Sequence, residues 1–166
     1  LIKLADRLHN VGTIEYMPEY KREKILSETM YIFIPLAHKL GLYSMKSEME
    51  NIWLKFHEPQ IFNEINERLA IFEKERSNSM DEYLEPVRQK LTEAGYKFRI
   101  LKRLKSPYSI WNKMQTKHVS FEEVYDLFAA RIVFTPQSPE TERQDCWRIY
   151  TAITSVYKIH PDRIRD

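Results

Sequence analysis

Residues 94–105 read Ala94-Gly95-Tyr96-Lys97-Phe98-Arg99-Ile100-Leu101-Lys102-Arg103-Leu104-Lys105, and here the grammar of the chain changes. Upstream, apolar residues recur at three- and four-residue spacing, as amphipathic helices require. From Lys97 the chain alternates charged and apolar side chains through Ile100, the signature of a half-buried strand. Gly95 at the join suits the residue that closes a helix. The expected fold class is therefore α+β, an all-helical first part followed by a smaller part that mixes strands and helices.

Working outward toward Leu1, residues 43–57 place Met45, Met49, Ile52, Trp53 and Phe56 on one helical face. From Glu19 to Leu40 the pattern is again helical, with Pro35 expected to kink it and Gly41 to cap it. Pro59 opens a third helix, which Ser77-Asn78-Ser79 is expected to interrupt before a further helix runs to about Ala94. In the other direction, a short helix is expected over Tyr108–Lys117, a buried strand over Leu127–Phe134 and a helix over Glu140–Lys158. The expected division is 1–57 and 58–166, with a helical lead-in to about residue 95. Leu1 already lies in a helical pattern and Asp166 ends a charged stretch, so both ends are expected to be cuts within a longer protein.

The chain has 166 residues, of which 43% are hydrophobic and 30% charged, which allows a real core beneath a heavily solvated surface. Cys146 is the single cysteine, which excludes an internal disulfide and fits a reducing, cytoplasmic location. It shares a helical stripe with Tyr150, Ile153 and Tyr157 and is expected to be a core thiol. No apolar run approaches the roughly 18 residues of a membrane span, and no signal-peptide pattern opens the chain. A membrane is therefore not an expected partner.

Charge is unevenly spread. Residues 97–117 carry Lys97, Arg99, Lys102, Arg103, Lys105, Lys113 and Lys117 with no acid among them. Lys105, Ser109 and Lys113 recur every fourth residue at a loop-to-helix entry, where a helix dipole and backbone donors favour phosphate. A phosphate site and a basic surface that attracts nucleic acid nonspecifically both fit this pattern. At the other end, Asp6, Asn10 and Thr13 fall on one helix face. This face can supply a metal ligand and nucleotide contacts, or it can be a solvated helix end with Asp6 paired to Arg7 or His9.

The segment Lys3-Leu4-Ala5-Asp6-Arg7-Leu8-His9-Asn10-Val11-Gly12-Thr13 resembles the last metal-ligand segment of the HD-type hydrolase domain in RelA/SpoT proteins. The segment Arg103-Leu104-Lys105-Ser106-Pro107-Tyr108-Ser109-Ile110-Trp111-Asn112-Lys113-Met114 resembles the ATP-binding segment of the same family's synthetase domain. Ser27–Gly41 resembles the family's central helical segment, and Arg163-Ile164-Arg165-Asp166 its basic element found in bifunctional members. Gly12 stands where the family has Arg, Lys102 where it has Gly, and Arg165 where it has Lys.

The resemblance implies a bifunctional enzyme of the stringent response. One activity transfers pyrophosphate from ATP to the 3′-hydroxyl of GTP or GDP; the other hydrolyses (p)ppGpp. It implies Asp6 as a Mn2+ ligand, with Asn10 and Thr13 as nucleotide contacts of the hydrolase. For the synthetase it implies Asp126 as the catalytic Mg2+ ligand, with Arg103, Lys105, Ser109, Lys113, Arg131, Arg163 and Arg165 on the nucleotides. His9 reads as structural. The second part is expected to be a partial nucleotidyltransferase-like α/β domain, and a ribosome is an expected partner through regions outside this chain. The excised chain is expected to be inactive by itself. The alternatives are a synthetase-only member with a degenerate hydrolase and a helical module that binds nucleic acid or a partner through 97–117.

Overall fold

The computed structural model describes residues 1–124 and 126–158, without the side chains of Ser77 and Asn78. The chain is mostly helical, with one two-stranded antiparallel sheet, in keeping with the α+β expectation. Two compact units form. One comprises Leu1–Ala70 with Leu104–Leu127, the other Ile71–Arg103 with Phe128–Asp166.

In the first unit, α1 (Ile2–Gly12) packs Leu4 and Val11 against Met49 of α4 (Tyr43–His57) and against Ile34 and Ala37 of α3 (Ile34–Lys39). The periodicity of 43–57 is borne out: Met49 is fully buried, and Met45 and Ile52 pack against the same core. Arg7 fastens α1 to its neighbours by an ion pair to Glu28 at 2.6 Å and by lying 4.3 Å over the Phe33 ring.

Where Pro35 is expected to kink the helix, the structure has a feature the sequence did not announce. Between α2 (Glu19–Glu28) and α3 the backbone makes one π-helical turn, Thr29–Phe33. The Ile34 N–H donates to the Thr29 carbonyl, five residues back. Pro35 has no N–H to give and its ring crowds the preceding turn, so widening that turn by one residue accommodates it. At the far end of α3, Gly41 has φ +72°, with Leu42 N–H bonded to the Ala37 carbonyl and Gly41 N–H to that of His38. This is the capping pattern expected of a glycine there.

In the second unit the expected interruption at Ser77-Asn78-Ser79 does not occur, because α5 runs unbroken from Pro59 to Glu93. Ile65, Leu69 and Phe72 before these residues and Met80, Leu84, Val87 and Leu91 after them stay in one helical phase. The small helix cost of two serines and an asparagine is outweighed by that shared stripe. Gly95, at φ +76°, then closes the helix as expected.

Strand β1 (Lys97–Leu104) pairs with β2 (Phe128–Thr135). Phe98, Ile132 and Phe134 pack on a cluster of Val87, Leu91, Tyr96 and Ile149, the last from α7 (Glu142–Val156). The strand expected to be buried over 127–134 is instead half exposed, with Ala129, Ala130 and Arg131 facing solvent. Ile132 and Phe134 take the covered face, so Ala129 and Arg131, which alternate with that set, fall on the open one.

Cys146 is exposed, contrary to the expectation of a core thiol. The buried stripe of α7 starts one residue earlier, at Asp145 and Ile149, and continues through Ala152, Ile153 and Tyr157. No helix among the described residues is long and apolar enough to cross a membrane.

Candidate functional site

Helix α6 (Pro107–Lys117) belongs to the first unit and carries Ser109 and Lys113. Its start is unusually well satisfied. Pro107 at the first position has no N–H to satisfy. The Tyr108 N–H donates to Asn51 Oδ1 on α4 at 3.1 Å, and the Ser109 N–H donates to the Ser106 Oγ cap at 3.3 Å. The two serine hydroxyls meet at 2.7 Å. The backbone donors expected to greet a phosphate here are therefore already committed, which leaves the side-chain cations to attract an anion.

Those cations converge on Asp126. Lys105 Nζ lies 2.8 Å from Asp126 Oδ2, and Lys113 Nζ 2.5 Å from Oδ1. The Lys105 N–H also donates to the Leu127 carbonyl at 2.8 Å, which pins the two chain segments together beside the carboxylate. Asp126 does not begin the strand. It stands two residues before β2, at φ +74°, in a left-handed conformation that Asp tolerates better than most residues. Burial pushes its carboxyl pKa up, but the hydrogen bonds and charges of Lys105 and Lys113 outweigh this and hold it below the ordinary carboxylate range. Upstream, the Ser120–Glu123 capping box orders the start of the connection that leads to Asp126.

An aromatic cluster holds α6 on α4. Trp53 meets Trp111 at 5.7 Å and Tyr108 at 6.2 Å between centroids, and His57 stacks on Trp53 at 4.2 Å. Burial, with the Glu50 charge adding to it, holds the Tyr108 hydroxyl above its ordinary pKa. Asn51 had no signal in the sequence, since nothing local marks a side chain that caps a helix 57 residues away. Asn51→Leu is expected to destabilise the first unit by about 1–2 kcal/mol by stranding the Tyr108 N–H. Asn51→Asp still offers an acceptor and is expected to retain most of that stability. Urea unfolding followed by tryptophan fluorescence distinguishes the two, and equal losses in both would rule out the capping role.

The other predicted residues fall elsewhere. Arg103, near the end of β1, and Arg131, in β2, are exposed and belong to the second unit. Arg163 and Arg165 lie outside the described residues. On α1, Asp6 is exposed and accepts from Asn10 Nδ2 at 3.3 Å, so these two do share a face. Thr13 turns its hydroxyl back to the carbonyls of His9, at 3.0 Å, and Asn10, at 3.5 Å. Arg7 pairs with Glu28 rather than with Asp6.

Neither carboxylate is by itself a metal site. Asp6 offers one exposed carboxylate beside an amide, and Asp126 has each oxygen occupied by an ammonium group. Among the described residues no three His, Cys, Asp or Glu side chains gather to hold a metal.

Against known proteins, a family model described as "HD domain" matches residues 1–43, and one described as "Region found in RelA / SpoT proteins" matches residues 102–166. The chain thus joins an HD-type segment to a RelA/SpoT-type segment. Over its whole length it is 33% identical to a GTP pyrophosphokinase of Myxococcus xanthus and 35% to a GTP pyrophosphokinase rsh of Brucella ovis, covering 21% of each. It is 36% identical to a guanosine-3′,5′-bis(diphosphate) 3′-pyrophosphohydrolase of Aquifex aeolicus, covering 23% of it. The chain spans about a fifth of the length of the curated relatives it matches. The likeness is thus to RelA/SpoT proteins over 102–166 and to an HD domain over 1–43, with relatives of both enzyme names aligned along the whole chain.

Proposed function

We propose that this chain is the central part of a bifunctional enzyme. The synthetase would transfer pyrophosphate from ATP to the 3′-hydroxyl of GTP or GDP, and the hydrolase would cleave (p)ppGpp. The observation that carries the reading is the convergence of Lys105 and Lys113 on Asp126 at the entry of α6, within the segment that resembles the family's ATP-binding motif. Two ammonium groups spaced to grip one carboxylate are also spaced to grip neighbouring oxygens of a polyphosphate. Pyrophosphate transfer depends mainly on positioning and charge neutralisation, and a helix locked by Asn51 and the aromatic cluster supplies a firm mount for such cations.

Residues 58–166 form the start of the synthetase in this reading, with a nucleotidyltransferase-like architecture, and residues 1–57 close the hydrolase and begin the central helices. Arg103, Ser109, Arg131, Arg163 and Arg165 join the lysines on the synthetase nucleotides. Asp6, Asn10 and Thr13 form the hydrolase contribution. Mg2+ at Asp126 and Mn2+ at Asp6 are proposals that rest on the resemblance, as are the cytoplasmic location and a ribosomal partner of the longer protein. The chain alone supplies a single carboxylate to each centre and is expected to catalyse neither reaction.

Titrating the chain with ATP and with single-stranded RNA at two salt concentrations tests the reading. ATP binding is the expected result. RNA binding with a steep salt dependence and no response to ATP would favour a nucleic-acid module built on the basic stretch 97–117.

A further inference from the structure

Both cations of the cradle are engaged by an anion that belongs to the protein itself. Lys105 holds one oxygen of Asp126 and Lys113 the other, at 2.8 and 2.5 Å. Asp126 presents that carboxylate from a left-handed backbone at φ +74°, beside the Lys105 N–H bond to the Leu127 carbonyl. A divalent cation that reached the same carboxylate would bind beside two ammonium groups, whose repulsion opposes it. A site that serves a polyphosphate and a cation together has, in this state, each of its parts neutralised by the other.

We infer that Asp126 is an internal surrogate for phosphate, and that the site loads by ion-pair exchange. A polyphosphate arrives first and takes Lys105 and Lys113. Only then is the Asp126 carboxylate uncovered for a cation. The inference rests on the reading of this cradle as a polyphosphate site and adds an order of binding to it. No bond is made or broken in the exchange; two ammonium groups change partner. It also gives the carboxylate a role without metal: it keeps two neighbouring cations from repelling one another while the cradle is empty.

The test is calorimetric titration of the chain with tripolyphosphate in EDTA, for the wild type, Asp126→Asn, Asp126→Gly and Glu122→Gln. Asn and Gly both tolerate a positive φ, so the two Asp126 variants keep the local backbone. Glu122, exposed and paired with Arg68, controls for the loss of one negative charge away from the cradle. Removing the competing carboxylate is expected to tighten tripolyphosphate binding about three- to tenfold, the range that two partly exposed ion pairs allow. Glu122→Gln is expected to change it by less than about twofold.

If the wild type binds but the Asp126 variants bind equally or more weakly, the exchange is wrong and the cradle stands. If Glu122→Gln tightens binding as much, the effect is bulk charge and the exchange is wrong. If none of the proteins binds, the cradle itself is wrong and the exchange falls with it. A second readout is the electron paramagnetic resonance spectrum of Mn2+ added alone. It is expected to stay that of the free ion with the wild type; tight binding that Asp126→Asn abolishes would overturn the proposed order.

Discussion

On the proposed function, a full-length protein bearing Lys113→Met is expected to lose about two orders of magnitude in the rate of pyrophosphate transfer from ATP to GDP while remaining folded. The size follows from what one positioned charge contributes to stabilising a transferring group in a shielded site. Lys113 stands on a helix whose first turn is fastened at Asn51 and Ser106, so its charge is delivered to a defined place. Lys113→Arg keeps the charge but exchanges a compact ammonium for a planar fork, and is expected to recover only part of the rate. Steady-state kinetics with ATP as the varied substrate, with circular dichroism as the fold control, decide the matter. A Met variant within threefold of the wild type would remove Lys113 from the synthetase.

The second large effect concerns stability. Asp145 is fully buried, and its carboxylate accepts from the Tyr96 hydroxyl at 2.9 Å, the Gln137 N–H at 3.1 Å, the Thr141 hydroxyl at 2.9 Å and Arg148 at 3.4 Å. One side chain thus gathers the residue before β1, the turn following β2 and the first turns of α7. Asp145→Ala leaves those donors without an acceptor and is expected to lower the melting temperature by on the order of 10 °C.

The pH dependence has a definite sign. Burial pushes the Asp145 pKa up, but the Gln137 N–H, the Thr141 and Tyr96 hydroxyls and the Arg148 charge together hold it below the ordinary carboxylate range. A depressed folded pKa contributes stability that is present above the unfolded pKa of about 4 and is lost as pH falls through the folded value. The stability gap between the wild type and Asp145→Asn should therefore be widest near neutrality and narrow below about pH 4. Urea midpoints across that range measure it; a gap constant down to the acid limit would contradict the assignment.

The helices were readable because their apolar spacing is regular. Met45, Met49 and Ile52 lie where periodicity placed them, and Gly41 and Gly95 end helices where left-handed residues were needed. The Ser77-Asn78-Ser79 stretch misled because polar local propensity is a weak force beside an apolar stripe that stays in phase on both sides. Cys146 misled for a related reason. A helical stripe drawn through it and Tyr150 fits the period as well as the true one through Ile149, and only the buried, fully bonded Asp145 distinguishes them.

At the basic site, the spacing of Lys105, Ser109 and Lys113 pointed to a common face, but the meeting of both lysines with Asp126 depends on a loop return that no local pattern encodes. The commitment of the α6 backbone donors was equally hidden, since one of their acceptors comes from α4. On α1 the Asp6–Asn10 contact followed directly from the four-residue rise of a helix.

The π turn at Thr29–Phe33 acts as a phase shifter between α2 and α3. It holds one residue more than the same turn of α-helix would, so the sequence on either side is out of register by about 100° of rotation about the axis. Ile25, which packs on the core ahead of the turn, and Ile34 and Ala37 beyond it face the same core because the wider turn absorbs that extra residue. An ordinary α turn over the same residues would swing Ile34 and Ala37 by that angle away from Leu4 and Met49, whereas deleting one residue from 29 to 33 would return the turn to α geometry and keep both on the core. The segment thus carries one residue that the helical phase does not need, and a single-residue gap here is expected to disturb the core less than the same gap elsewhere in α2 or α3.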